Sequence, residues 1–515
     1  MTPPIDPLVL VRAASRDAGD GIYLGYGTAG PVWAASQRMV LVLGPPRSGK
    51  TSAIVVPNVL AAAGPVVSTS TKPDVMSRTA RSRSRTGETL LFDPTGTVLR
   101  PSGVGPLRWS PVQACSQWDQ ALLMARGMTA VSTDGAQRSM SSNPDHWHER
   151  AQALLAALLH AAALDSESMS TVLRWVDRRL TGPAQSILDG GGNALAADLL
   201  GGIAMTDARE LSGIWSTASG VLSAYHSDAA MATTKGEAFD ARQWCETNGT
   251  IYVCAPGRNQ SLVAPLVVGL LTEIREARYA SANEMLSTRD ADWHVDRQKE
   301  HSDPTEASSA PPPSRAPLLL ALDEAANIAP LSDLPVMLSE GGSQGVLMLV
   351  CLQDMSQARM RWGPEADGWL SLFGAKVVLP GIEDVKTLEM LSSLAGEEEV
   401  VTRSVTSSSA PRGDPLHSLV GWLGGARSRP SVTPPPTITT STIRRPRMPV
   451  DELSRGAKGM ALVVDERTEM GYVKLTRWFD HDLWHSVVDA GHRVHTRSRS
   501  ILGPEGPGRG HPGPG

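Results

Sequence analysis

Cysteine is scarce in this 515-residue chain. The four residues, Cys115, Cys245, Cys254 and Cys351, lie far apart and form no CxxC pair. That spacing gives no disulfide framework, and Cys254 and Cys351 close apolar runs, so all four read as reduced core thiols. An excess of basic charge is also missing. The formal net charge is −5, which excludes a polybasic nucleic-acid binder as a whole but leaves room for local basic patches. No apolar run is long enough to cross a bilayer. Residues 54–67 are interrupted by Pro57 and Pro65, and 154–164 is shorter than the ~20 residues a span needs. Residues 1–10 carry no basic flank and no hydrophobic segment, so no secretory signal is expected. The expectation is a cytoplasmic chain with no direct membrane span. Aromatics are few, at 4%, and tryptophan (13) outnumbers phenylalanine (4), a bias without a structural reading.

The remaining composition, 41% hydrophobic and 20% charged, is that of a globular protein. The length exceeds one compact core and calls for two or three folded units. Residues 1–20 read as a flexible N-terminus. Residues 287–316 are charged and then Pro/Ser-rich, and 406–442 are rich in Ser, Pro, Thr and Gly around an apolar island at 419–423; both read as disordered insertions. Residues 487–515 end in a Gly/Pro tail, also read as disordered. No internal repeat is visible.

Short continuous Val/Leu/Ile runs at 39–43, 66–69, 90–92, 250–254, 318–322, 346–352 and 376–379 predict strands buried on both faces. They alternate with helical stretches such as 51–63 and 262–278, which argues a mainly parallel α/β sheet with crossover helices. A last pair, 461–464 and 472–475, is expected to return to that sheet. Residues 113–242 break the alternation. They are Ala/Leu-rich, with Trp147, Ala151, Leu154, Leu155, Leu158 and Leu159 at helical spacing after the helix start Asn143-Pro144-Asp145. They read as an inserted all-α domain, leaving 21–112 and 243–486 as the α/β domain.

The strongest motif is Gly44-Pro45-Pro46-Arg47-Ser48-Gly49-Lys50-Thr51, followed by Ser52. It matches GxxxxGK[ST] between a strand and a helix. Its glycines let backbone N–H groups wrap phosphates at a helix N-terminus. Lys50 is expected to reach the β and γ phosphates and Thr51 to hold Mg²⁺, so ATP and Mg²⁺ are the expected ligands. The second motif is the apolar run 318–322 ending in Asp323-Glu324. A strand end at the sheet's C-terminal edge is where open α/β sheets bind ligands. Asp323 would hold Mg²⁺, and Glu324 would polarise the attacking water. Gln353, after the run 346–352, would sense the γ-phosphate. Taken alone, each acid or amide could equally be a solvated strand cap.

Weaker candidates follow. His146, His148 and Glu149, which lack HExxH spacing, and His481 and His485 with Asp480 and Asp482 are candidate metal groups, but neither has a further identifiable ligand and both read better as solvated helix faces. Basic clusters at 78–85, 174–179 and 444–447 could meet DNA phosphates, the first being placed ahead of the others.

Together these residues resemble the type IV secretion coupling proteins, the TraG/TraD-type conjugative DNA-transfer ATPases. The resemblance spans most of 21–484. It rests on GPPRSGKT, on TKPDV from Thr71, on LLFDPTG from Leu90 and on RWSPV from Arg108. HWHERAQALLAALL from His146, ARELSGIWSTAS from Ala208 and the long series LDEAANIAPLSDLPVMLSEGGSQGVLMLVCLQDMSQARMRWG over 322–363 complete it. It implies a RecA-like P-loop NTPase interrupted by the all-α domain, with Lys50, Thr51, Asp323, Glu324 and Gln353 on the family's nucleotide-site positions. It further implies a homo-hexameric ring that drives DNA, with its relaxase or other secretion cargo, toward membrane-embedded secretion channel components. The chain departs from the family in two ways. No N-terminal membrane helices are visible, so attachment to the inner face of the cell membrane would come through a partner. The loop 340–345 lacks the arginine that reaches a neighbour's phosphates, which would then come from elsewhere, such as Arg359 or Arg361. Two alternatives stay open: a non-motor nucleotide-dependent docking factor for cargo, and another ring DNA-translocating ATPase.

Overall fold

The computed structural model describes residues 6–131, 144–191, 193–256, 260–299, 316–406, 437–465 and 470–490. The described residues form two compact units, one within 1–382 and 456–515 and one within 383–455.

The first unit is built on a sheet of twelve strands among the described residues. In chain order these are β1 (Tyr23–Gly27), β2 (Gly30–Trp33), β3 (Val40–Leu43), β4 (Val66–Ser70), β5 (Thr89–Phe92) and β6 (Gly105–Pro106). There follow β7 (Thr250–Cys254), β8 (Leu318–Leu322), β9 (Val346–Leu352) and β10 (Ala375–Val378). Across the sheet the parallel part runs β10-β3-β9-β8-β4-β7-β5-β6. The strand pair expected at the end of the chain, Met460–Asp465 and Gly471–Lys474, joins antiparallel beside β10 and carries β1 and β2 at the edge. Residues of β3, β8 and β9 are buried on both faces. This is why their sequences are continuous aliphatic runs rather than alternating ones.

Helices cover the face that carries Val40, Val42, Leu319, Ala321, Leu349 and Cys351. Contrary to the flexible N-terminus expected over 1–20, α1 (Pro7–Asp17) is a helix. Asp6 caps it by accepting from the Leu8 N–H, Pro7 opens it, and Leu8, Val11 and Ser15 are buried. The reason is a short apolar stripe at helical spacing that a polar average hides. After the P-loop the chain makes a π-type turn, Thr51–Val55, before α2 (Val56–Ala61). Pro57 accounts for it: its ring cannot donate and crowds the preceding turn, and a wider turn accommodates that. The Asn58 side chain ties α2 to the edge of the sheet, accepting from Tyr23 N–H (2.7 Å) and donating to Tyr23 O (2.9 Å).

The next helix is α3 (Asp74–Arg83). Arg83, in the cluster expected to face DNA, is fully buried. It donates to Thr250 Oγ1 (2.7 Å) and to the carbonyls of Ala62 (2.5 Å), Gly64 (2.8 Å) and Asn248 (3.0 Å). The DNA reading therefore fails for this residue; a guanidinium with five donors is the side chain that can join two loops and a strand at once.

Helices fill the stretch expected to be all-α: α4 (Trp118–Ala130), α5 (Pro144–Leu164), α6 (Met169–Asp177), α7 (Gly182–Asp189), α8 (Ala194–Ala204), α9 (Ala208–Val221), α10 (Asp228–Thr233) and α11 (Ala241–Cys245). No strand occurs there among the described residues. Ala151, Leu154, Leu155, Leu158 and Leu159 of α5 are buried at 0–1% exposure, and α5 packs on α4, α8 and α9. Gly213 is required in α9, because a Cβ there would stand 2.7 Å from the Trp147 ring. Asn143 lies outside the described residues. Trp109 of the RWSPV segment is buried and donates its indole N–H to Glu273 of α12 (Gln260–Lys299). α12 also corrects the expected disorder at 287–316: its backbone is helical through Lys299, while 300–315 lie outside the described residues. Val487 and Val488 are buried in a helix over 482–490, so the C-terminal tail begins later than 487. Among the described residues no helix is long and apolar enough to cross a membrane.

In the second unit, a helix (Val385–Ala395) precedes β11 (Glu397–Thr406), which pairs antiparallel with β12 (Thr437–Pro446). The expected insertion 406–442 thus includes the start of β12; its apolar island at 419–423 lies outside the described residues.

Arg83→Ala should lower stability by on the order of 3 kcal/mol, because it strands buried carbonyls without a donor. Arg83→Lys should recover only part of this, lacking the planar fork. Thermal melting checks both. Unchanged melting with weakened DNA binding would instead restore the DNA role.

Candidate functional site

The parallel register brings two distant motifs to one edge. Leu43 pairs with Leu352, Val350 with Leu322 and Leu322 with Thr69, so Gly44 and Asp323 leave their strands at the same edge of the sheet, with β9 between them. The loop between Gly44 and Thr51 is held from within. Arg47 (φ 65°) and Gly49 (φ 104°) adopt positive φ, which turns successive backbone groups into a concavity. Lys50 is almost buried and donates to the carbonyls of Gly44 and Pro45, the latter at 3.1 Å. Ser52 Oγ donates to Gly49 O (3.3 Å). Ser48 Oγ is buried and has no hydrogen-bond partner, so a ligand oxygen in the loop would satisfy it.

Thr51 Oγ1 donates to Asp323 Oδ2 at 2.8 Å. Asp323 is 5% exposed. Burial pushes its pKa up to about 6; the Thr51 hydrogen bond and Lys50 oppose the rise, and Glu324 and Asp74 add to it. A hydroxyl and a buried carboxylate in contact form the all-oxygen donor set that Mg²⁺ prefers. A divalent cation would also neutralise the carboxylate that burial disfavours, so the residues fit the ion. Glu324 follows in the left-handed region (φ 57°, ψ 50°), a conformation that costs a non-glycine residue about 1–2 kcal/mol. Asn327 Nδ2 donates to its Oε2 at 3.0 Å.

These groups open into a cavity of about 570 Å³. Residues 46–52, Asp323 and Glu324 line it, whereas Gly44, Pro45 and Gln353 are not among its lining residues. Gln353 stands next to the loop, since Gly44 N–H donates to Leu352 O (3.2 Å), and its own N–H donates to Gln357 Oε1 (2.9 Å).

Sequence reasoning missed two parts of the wall. Thr71, Lys72 and Asp74 belong to a quoted motif, but their place at the cavity was not read from it. Arg477, Trp478 and Phe479 also line the cavity, and no motif or spacing could have found them. Five cationic side chains, Arg47, Lys50, Lys72, Arg78 and Arg477, face three carboxylates there, which suits a polyanion.

The weaker candidates fall elsewhere. His146 Nε2 lies 3.0 Å from Glu210, and His485 pairs with Asp489 at 3.3 Å. Among the described residues no cluster could hold a metal through three His, Cys, Asp or Glu side chains. Arg444 and Arg445 pair with Glu399 and Glu398 across β11 and β12. Arg359 pairs with Asp367 (3.1 Å), and Arg361 donates to Val131 O (2.7 Å).

Fold and site together define a RecA-like P-loop NTPase architecture, with a mainly parallel sheet and the acid pair beside the P-loop. The family model described as "Type IV secretory system Conjugative DNA transfer" matches residues 9–289, more than half of the chain, and the chain belongs to that family. A second model, "TraM recognition site of TraD and TraG", matches 317–455. Among solved structures, the unbound monoclinic form of the bacterial conjugative coupling protein TrwBdeltaN70 is similar at 18% identity over 91% of each chain, with a TM-score of 0.59. The plasmid coupling protein TrwB in complex with the non-hydrolysable GTP analogue GDPNP is similar at 19% identity over 88% of this chain and 89% of that chain, with a TM-score of 0.58. TrwB in complex with ADP and Mg²⁺ gives 19%, 85% of each chain and a TM-score of 0.56. At these identities the likeness establishes the fold. No curated protein matches the chain.

The raised Asp323 pKa has a consequence for stability. The folded chain holds this proton more tightly than the unfolded chain, so the site is favourable at low pH and costs stability as pH rises from about 4 through about 6. In metal- and nucleotide-free buffer at pH 7.5, Asp323→Asn should therefore be more stable than the parent, by up to about 3 kcal/mol. The difference should vanish near pH 4. Thermal melting across pH checks this; a variant no more stable at pH 7.5 would mean that Lys50 fully offsets the buried charge.

Proposed function

We propose that the chain is an ATP-binding and ATP-hydrolysing coupling protein that drives DNA in conjugative transfer. The observation that carries this is the Thr51–Asp323 hydrogen bond, which joins the P-loop to the acid pair in a chain of the conjugative DNA-transfer family. Lys50 would leave the loop carbonyls for the β and γ phosphates, and the backbone N–H groups between Arg47 and Thr51 would bind phosphate oxygens. Thr51 and Asp323 would hold Mg²⁺, which supplies neutralising charge when bound. Glu324, held by Asn327, would orient the attacking water and take its proton. Gln353 would report the γ-phosphate to β9. TrwB's complexes with GDPNP and with ADP and Mg²⁺ support the same ligands here. On this reading the motor is a homo-hexamer and the helices of 113–242 form its all-α domain. The ring acts at the cytoplasmic side of a secretion channel, held there by a membrane partner, and engages relaxase or other cargo.

One observation favours the docking-factor alternative. Both arginines expected to reach a neighbouring subunit are engaged within their own chain, and an arginine delivered in trans is worth roughly 10³-fold or more in rate. A docking factor would bind cargo in an ATP-dependent way that survives Glu324→Gln.

Steady-state ATP hydrolysis with and without DNA separates the two. A motor should show DNA-stimulated turnover, lost in Lys50→Ala and reduced at least ~100-fold in Glu324→Gln, with Glu324→Gln still binding ATP. Folded, oligomeric protein that binds ATP without turnover at any DNA concentration would overturn the motor reading.

A further inference from the structure

The segment Arg477-Trp478-Phe479 has no place in the P-loop chemistry, yet it lines the P-loop cavity. Topology puts it there. The strand Gly471–Lys474 is antiparallel to Met460–Asp465, which is antiparallel to β10, and β10 is parallel to β3. Two reversals return the chain to the direction of β3, so the residues after Lys474 emerge at the same sheet edge as Gly44.

Trp478 is braced. The Arg78 guanidinium lies over its ring at 5.1 Å, and the His485 ring is stacked at 6.3 Å with an interplanar angle of 18°. Phe479 is presented. Its ring meets Trp478 edge-on at 5.3 Å and 88°, the Arg477 guanidinium lies 5.7 Å from its centroid, and the residue remains 47% exposed. An exposed phenyl ring in a cavity lined mainly by polar and charged residues gains nothing from phosphates. It does offer a π-face to a flat heterocycle.

Building on the reading of this cavity as a nucleoside-triphosphate site, we propose that Arg477–Phe479 is its nucleobase end. Phe479 stacks on the base, Trp478 holds the phenyl ring in position, and Arg477 gives up the ring for the phosphates. Stacking reads a ring face and not its hydrogen-bonding edge, so adenine and guanine are accepted alike.

The test is calorimetric titration of the full chain with three Mg²⁺ complexes: the β,γ-imido analogues of ATP and GTP, and tripolyphosphate, which has the phosphates and no base. Phe479→Ala and Phe479→Leu should weaken both analogues about tenfold and leave tripolyphosphate within twofold of the parent. Phe479→Tyr should bind like the parent. The leucine variant keeps the apolar volume, so its loss isolates the stacking. Analogue affinity unchanged in Phe479→Ala and Phe479→Leu, or tripolyphosphate weakened equally, would overturn the base assignment while the triphosphate site stands. A parent chain that binds none of the three would overturn both.

Discussion

The site depends on the register of four parallel strands. With Leu43 beside Leu352, Val350 beside Leu322 and Leu322 beside Thr69, β3, β9, β8 and β4 end within two residues of one another, and the two motifs meet at the edge of the apolar layer. A slip of one residue would draw Asp323 into the aliphatic layer or Gly44 away from it. A carboxylate in that layer without a partner is among the most costly substitutions a core can suffer. Strands buried on both faces therefore do more than build a core. They fix to within a hydrogen-bond length where Thr51 meets Asp323.

Around that edge the molecule spends buried polar groups on position. Asn58 anchors α2 to Tyr23, and Arg83 joins the loop after α2, the start of β7 and α3. Every side-chain nitrogen and oxygen of both has a hydrogen-bond partner that only the folded chain supplies, which is the condition under which a buried polar group stabilises rather than costs. Two of the strained backbone positions lie in the same place. Arg47 and Glu324 hold left-handed conformations at the cavity, and the packed strands and helices beneath them keep those conformations populated.

Charge follows the same division between the whole and the site. The chain is acidic overall, yet the cavity is lined by more cationic side chains than carboxylates. A local field is set by the few groups that face a cleft and not by the sum over the surface. Family membership and the cavity's chemistry thus point the same way, although the net charge alone argues against a polyanion ligand.

The sequence by itself determined the α/β class, most strand positions and the family, because buried strands and the P-loop are local patterns: a run of aliphatic residues and a fixed spacing of Gly, Lys and Thr. It misjudged segments whose structure rests on a few long-range contacts. Residues 7–17 look polar on average but bury Leu8 and Val11, and Arg83 looks like a surface charge but is a buried tie. The far wall of the cavity was decided only by tertiary structure. Arg477, Trp478 and Phe479 reach the P-loop because two antiparallel strands turn the chain back to the β3 edge, and strand order across a sheet is a property of the whole fold that no local pattern encodes.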